Sequence, residues 1–309
     1  MGIFQTTLSQ MAFLFLLIIV GYVLAKTKQL PQNASVTLSK LENTLFIPCL
    51  VAGTFIENFT VERISGAWKL LLVSTVICLI AIPTAIGISK LCAKDKYTQN
   101  IYTYGLVFSN FGFMGNAVVS AVFPELFFEY IIFTLPLWAA IYLWAVPVLL
   151  ISDAGAKQTL LQRAKAFLNP MFIAMLIGMV IGLTGISLPG WLSSAVSVLG
   201  SCMSPVAMLL TGVTVSFINI KKTFTNGKIY LASLIRLVVF PLIFIAVMQF
   251  VPMSETVRVC ALCSLAMPLG LNTIVVPSAY GKDTSTAAGM AIISHLLSCI
   301  TIPLMFMLL

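Results

Sequence analysis

The chain has 309 residues, of which 60% are hydrophobic and only 8% charged, with a mean hydropathy of +1.08. A soluble globular chain carries roughly 25% charged residues, so this composition excludes an ordinary soluble domain and predicts a chain solvated mostly by lipid. The net charge of +8 is dispersed over short loops, which argues against a nucleic-acid partner.

Ten apolar stretches are predicted to be membrane helices of about 20 residues each. The first, 8–25, follows an N-terminus without Lys or Arg. It therefore lacks the charged region of a cleaved signal peptide and reads as a retained span. The second, 36–55, is bent at Pro48. The third, fourth and fifth cover 67–90, 98–123 and 126–151. A polar, partly amphipathic connector follows, and the sixth to tenth spans cover 170–184, 190–217, 228–251, 255–280 and 285–309. No alternation of period two is present, which removes a β-barrel. The fold class expected is an all-α polytopic membrane protein.

Thirteen Lys and Arg lie in or beside the odd-numbered loops, among them Lys26, Lys94, Lys165 and Lys222. The even loops carry only Arg63, Lys69 and Arg258. Basic residues in short loops mark the cytoplasmic side, so both termini are expected outside. The basic balance records topology rather than a ligand.

The second five spans repeat the first at an offset of about 157 residues. Pro31, Pro48, Pro83 and Pro147 recur as Pro189, Pro205, Pro241 and Pro303; Gly21 recurs as Gly178, and Asn116 as Asn272. An odd number of spans per repeat inverts the second copy. Residues 1–152 thus read as one five-helix repeat, 153–169 as a cytoplasmic connector, and 170–309 as a second, inverted repeat. Inverted repeats with interrupted helices at the membrane midplane are the architecture of secondary transporters.

Spans four and nine are the unusual pair. Span four contains Ser109-Asn110-Phe111-Gly112-Phe113-Met114-Gly115-Asn116, and span nine Met267-Pro268-Leu269-Gly270-Leu271-Asn272. Pro268 has no N–H, so the Ser264 carbonyl must lose its helical partner. Gly112, Gly115 and Gly270 let the backbone leave helical geometry cheaply. Non-helical backbone at membrane depth is tolerated only inside protein or beside water, so both spans are expected to break and cross. Each second half then presents N-terminal N–H groups, which favour an anion. Flanked by Ser109, Asn110, Asn116 and Asn272, that is a candidate site for a small carboxylate. The alternative is that these amides only satisfy freed backbone.

Arg236 is the one basic residue well inside a span. It is either a counter-charge for the anion or an anchor snorkelling to the interface. His295, the sole histidine, is either a packing residue or a proton carrier. All nine Asp and Glu are read at span ends or in loops, so a carboxylate proton relay or Na⁺ site has no obvious residue. Uniport or weak coupling is expected, with His295 or backbone carbonyls as the only coupling groups. The Cys260–Cys263 pair lies within a predicted helix and reads as packing. No metal or cofactor is expected, and nothing supports an enzyme or an ATP-driven pump.

Several of these segments resemble the auxin efflux carrier family. They are Gly21-Tyr22, Leu45-Phe46-Ile47-Pro48, Ser109 to Gly115, Asn169-Pro170, Leu188-Pro189, and Met267 to Gly270 with Tyr280-Gly281-Lys282-Asp283. The likeness runs through the whole chain in order, and the brief connector resembles the short prokaryotic members. It implies a ten-helix carrier of organic anions in the cytoplasmic membrane, often a homodimer. In that family two helices of each repeat form a scaffold and three move. Substrate sits at the crossover of helices four and nine, to which Asn110 and Pro268 correspond. Ala117 departs from the family, which usually has Pro there, leaving the break in span four open. An elevator-type carrier of a mono- or dicarboxylate is therefore expected. The rivals are a Na⁺- or proton-coupled symporter on the same scaffold and a sensor or channel that binds the anion without carrying it.

Overall fold

The computed structural model describes residues 3–151, 169–217, 226–279 and 282–309. All but the last residue of the connector expected at 153–169 lies outside the described residues. The chain opens with α1 (Ile3–Lys26), α2 (Ala34–Leu41), α3 (Ile47–Asn58), α4 (Val61–Ser65) and α5 (Ala67–Cys92). Then come α6 (Lys96–Val107), α7 (Asn116–Val122) and α8 (Phe127–Ala140). Beyond the connector lie α9 (Pro170–Thr184), α10 (Gly190–Ser201), α11 (Met203–Ser216), α12 (Gly227–Leu234) and α13 (Phe240–Met248). The last three are α14 (Glu255–Ala266), α15 (Asn272–Ala279) and α16 (Ser285–Phe306). Among the described residues no strand forms beyond one isolated bridge, Ser109 with Leu269.

Polar loop residues set the helix starts. Asp95, Asn169, Asn226 and Ser254 each accept a backbone N–H of the first turn, from Thr98, Phe172, Lys228 and Val257. Each satisfies a donor that helix geometry leaves free. Asp95 holds its carboxyl below the usual carboxylate range chiefly because the Thr98 N–H favours the charged form. Gly185, at φ 66°, closes α9 in the left-handed conformation that glycine adopts without strain.

Three helices pass through wide π turns at or just before a proline. Glu42–Phe46 precedes Pro48, Ile235–Val239 precedes Pro241, and Ile141–Leu150 contains Pro147. A proline cannot donate to the carbonyl four residues back and its ring crowds that carbonyl. Widening the turn relieves the clash without ending the helix. The bend expected at Pro48 is thus absorbed one turn earlier.

Six helices are long and apolar enough to cross a membrane among the described residues: Thr7–Lys26, Arg63–Cys92, Pro124–Leu150, Gly190–Ser216, Gly227–Met248 and Ser285–Phe306. Of the other four expected spans, one is divided by the Glu42–Phe46 turn and two are broken. The fourth, Pro170–Thr184, has 15 residues. The peripheral α5 exposes Leu72, Leu79 and Ile80, a surface suited to lipid. By contrast α6, α14 and α16 are buried along most of their length. The broken helices therefore form the centre of the molecule.

The α1–α11 and α3–α9 helices are packed backbone to backbone. A Cβ on Gly21 of α1 would collide with the Leu209 carbonyl of α11, and one on Gly178 of α9 with the Ala52 carbonyl of α3. Gly178 and Leu209 each stand 157 residues beyond Gly21 and Ala52 (178 − 21 and 209 − 52). Small residues permit such close approach, which drives association where no hydrophobic effect operates. Gly212 of α11 is tighter still, against the Ile18 carbonyl and Tyr22 N of α1. Gly212→Ala is expected to separate α1 from α11 and cost about 1–3 kcal/mol. A thermal melt in detergent reads this directly, and an unchanged midpoint would mean that the two helices can slide apart freely.

Candidate functional site

The functional geometry is built where two helices stop. α6 ends at Val107 and the chain continues through Phe108, Ser109 and Asn110 before coiling again as a π turn, Phe111–Gly115, and α7. α14 ends at Ala266, and Met267 to Leu271 lead into α15. The two non-helical segments pair antiparallel. The Asn110 N–H donates to the Pro268 carbonyl at 2.7 Å, and the Gly270 N–H to the Phe108 carbonyl at 3.3 Å. Pairing supplies partners that neither strand could find alone in an apolar interior. Gly270 makes the approach possible, since a Cβ there would lie 3.0 Å from the Phe108 carbonyl oxygen.

The break in span four falls before the glycines expected to cause it. Gly112 and Gly115 lie in the π turn and serve packing instead. A Cβ on Gly112 would sit 2.7 Å from the Trp138 ring, and one on Gly115 would strike the Tyr130 hydroxyl. Tyr130 Oη in turn donates to the Phe111 carbonyl at 3.2 Å.

Side-chain donors serve three of the carbonyls that the breaks release. Ser264 lacks its helical donor because Pro268 has no N–H, and it accepts from Ser109 Oγ at 2.7 Å and Arg236 Nη2 at 3.0 Å. Leu106 would take the Asn110 N–H in a continuous helix. That N–H goes to Pro268, and Arg236 Nη1 donates to Leu106 O at 3.1 Å in its place. Arg236 Nε approaches Met267 O at 3.5 Å. The guanidinium, 2% exposed, thus caps the C-terminal ends of both first halves, where the helix dipoles place negative charge. It is turned inward and snorkels to no interface.

The amides fall into distinct settings. Asn110, 2% exposed, approaches His295 Nε2 through Nδ2 at 3.0 Å, while His295 Nδ1 lies 2.7 Å from the Ala291 carbonyl. Asn272 donates to Tyr104 Oη at 3.1 Å. Asn116 is buried at the start of α7. Ser294 Oγ receives the Leu269 N–H at 3.2 Å, so α16 supports the second break as well. The geometry therefore brings Ser109, Asn110, Pro268 and Gly270 into one paired unit with Arg236, and holds Gly112, Gly115, Asn116 and Asn272 on the halves that follow. From the sequence His295 is either a packing residue or a proton carrier; its contact with Asn110 spans 185 residues, a separation that no local pattern signals.

A cavity of about 740 Å³ approaches α7 from one side. Its lining includes Gln10 of α1, Thr54 and Glu57 of α3, Ser120 of α7, and Ser197 and Ser201 of α10. Among the described residues its lining carries hydroxyls and one carboxylate but no Lys or Arg. Its size suits a small organic molecule.

One acidic residue departs from the reading that acids sit only at span ends. Glu42 lies in the Glu42–Phe46 turn at 0% exposure, and neither carboxyl oxygen has a hydrogen-bond partner. Its place seven residues into the expected second span was visible in the sequence; its burial required the packing of α9, α10 and α11 around the turn. A buried unpaired polar group costs about 1–3 kcal/mol. Glu42→Met is therefore expected to raise the melting temperature by a few degrees, at roughly 2–4 °C per kcal/mol. A lower melting temperature would mean that the carboxyl holds a cation in the membrane.

A family model described as membrane transport protein matches residues 6–306, nearly the whole chain. No curated protein matches the chain. With its apolar helices and interrupted buried pair, the protein is a multi-pass membrane transporter, and the chain belongs to the membrane transport protein family of the auxin efflux carriers.

Proposed function

We propose that the protein is an elevator-type secondary carrier of a small organic anion, a mono- or dicarboxylate. The observation that carries this reading is the antiparallel pairing of Ser109-Asn110 with Pro268–Gly270 inside the core. Two helices restart beside that pairing, at Phe111 and at Asn272. The N–H groups that open the first lack helical acceptors and act like a partial positive charge, whereas at the second the Thr273 and Ile274 N–H groups already donate to the Gly270 and Leu271 carbonyls. Ser109, Asn110, Asn116 and Asn272 supply orientable polar groups. Pro268, Gly112, Gly115 and Gly270 shape the backbone, and the Arg236 charge lies behind it. An anion is thereby held without a direct full counter-charge, which leaves release inexpensive.

In this reading the ten spans form two inverted five-helix repeats with α6–α7 and α14–α15 as the crossing pair. The reciprocal contacts of Gly21 with Leu209 and of Gly178 with Ala52 support it. The α1–α11 and α3–α9 pairs form a scaffold, and spans three to five and eight to ten move against it. The serine-rich cavity between scaffold and α7 is the outer vestibule. Both termini face outward from a prokaryotic cytoplasmic membrane, two copies pair, and lipid surrounds the exposed helices. Membership in a transporter family fits a protein that is not an enzyme.

Purified protein in liposomes, offered labelled acetate, lactate, malonate, malate and succinate, tests the proposal. Saturable uptake with counterflow of one acid is expected. Current without saturation would favour a channel, and binding without flux a sensor. Dependence on a Na⁺ gradient would favour the Na⁺-coupled symporter.

A further inference from the structure

We infer that His295 is a proton-binding site that couples proton movement to anion movement by turning over the Asn110 side chain. This rests on the crossover being the anion site. His295 Nδ1 lies 2.7 Å from the Ala291 carbonyl, which can only accept, so Nδ1 carries a hydrogen. In the neutral ring Nε2 then has only a lone pair, and it takes an N–H of Asn110 at 3.0 Å. That bond fixes the amide: Nδ2 faces the imidazole, and the Oδ1 dipole faces away from it, where it repels an anion.

A proton added at Nε2 makes both ring nitrogens donors. Asn110 can keep the bond only by rotating about half a turn, so that Oδ1 accepts from Nε2–H. Its NH₂ group then faces away from the ring, beside the N–H groups that start at Phe111. The same site changes from repelling to attracting an anion when one proton binds. The proton comes from water on the side where the anion enters and returns to water where it leaves. One proton with one monocarboxylate moves no net charge.

Few other titratable groups reach this level. The elements packed against α16 are α1, α6, α12, α14, α15 and the Ile235–Val239 turn. The turn brings Arg236, α6 brings Tyr102 and Tyr104, α14 brings Cys260 and Cys263, and α15 brings none. Tyr22 and Lys26 of α1, Lys96 and Tyr97 of α6, Lys228 and Tyr230 of α12, and Glu255 and Arg258 of α14 stand toward the ends of their helices, while Cys299 follows on α16 itself. Through the turn of Asn110, a proton on His295 and an anion at the crossover favour each other's binding, as linkage requires.

Because the chain has one histidine, labelling histidine with ¹⁵N gives a single imidazole whose tautomer and titration are read by solid-state NMR in lipid. A neutral ring protonated at Nδ1 is expected at high pH, together with a titration midpoint that moves by roughly one pH unit in Asn110→Leu, the worth of one hydrogen bond. In liposomes, an inward proton gradient is expected to raise uptake of whichever of the five acids is carried, and His295→Gln to abolish that stimulation. Uptake indifferent to the gradient in wild type would overturn the proposal and leave the carrier intact. If no acid is carried the anion site itself fails, and the NMR still decides the pair. A ring protonated at Nε2, or titrating identically in Asn110→Leu, would refute it.

Discussion

Arg236→Met is expected to remove about 2–5 kcal/mol of stability, because the buried Leu106 and Ser264 carbonyls would each lose a charged donor. Ser109 Oγ would still serve Ser264, but the Asn110 N–H, bonded to Pro268, does not replace the lost donor at Leu106. The broken halves should then move apart, and uptake of every acid should fall together. Arg236→Lys is expected to recover only part of the loss, since an ammonium is a point charge and cannot span two carbonyls as a planar guanidinium does. Arg236→Gln should slow mono- and dicarboxylates alike. A selective loss of dicarboxylates would instead return Arg236 to the role of direct counter-charge. The measurements are a melt in detergent and initial uptake rates in liposomes, with both lipid and protein density held constant.

Asn110→Ala is the second large effect. The amide joins the first restarted helix to His295 and, in the proposed site, faces the anion. Losing one hydrogen bond to a charged group should raise the half-saturating concentration for the carried acid by roughly 10- to 100-fold. The backbone pairing should survive, because Asn110 contributes its N–H to Pro268 through the main chain. Asn272→Ala should cost less, since that amide already donates to Tyr104 Oη. Unchanged half-saturation in both variants would remove the crossover as the binding site. Loss of folded protein in Asn110→Ala would show that the side chain holds the break together, and Asn110→Ser, which keeps a polar group, would then separate the two roles.

The contrast between the two breaks shows how sequence and structure divide the work. At Pro268 a missing N–H is a covalent fact, so the orphaned Ser264 carbonyl follows from the sequence alone. At Phe108–Asn110 no residue is barred from a helix. That break exists because Pro268 O and Gly270 N offer better partners, so its position depends on the other half of the chain. The glycines at 112 and 115 misled the sequence reading for the same reason. A glycine permits either a bend or a close neighbour, and only the positions of Trp138 and Tyr130 decide between them.

By itself the sequence determined that the chain is helical and membrane-embedded, because composition and the absence of period-two alternation set the solvent and the backbone's only way to satisfy itself there. It also located the family motifs and one of the two breaks. Only the tertiary structure decided what Arg236, His295 and Glu42 do. Arg236 donates across 130 residues to Leu106, His295 meets Asn110 across 185, and Glu42 is enclosed by helices from the other half of the chain. Such side chains answer to whichever carbonyls, amides or apolar walls the fold carries to them, and hydrogen bonds of a few ångströms between distant segments leave no periodicity for a sequence to record.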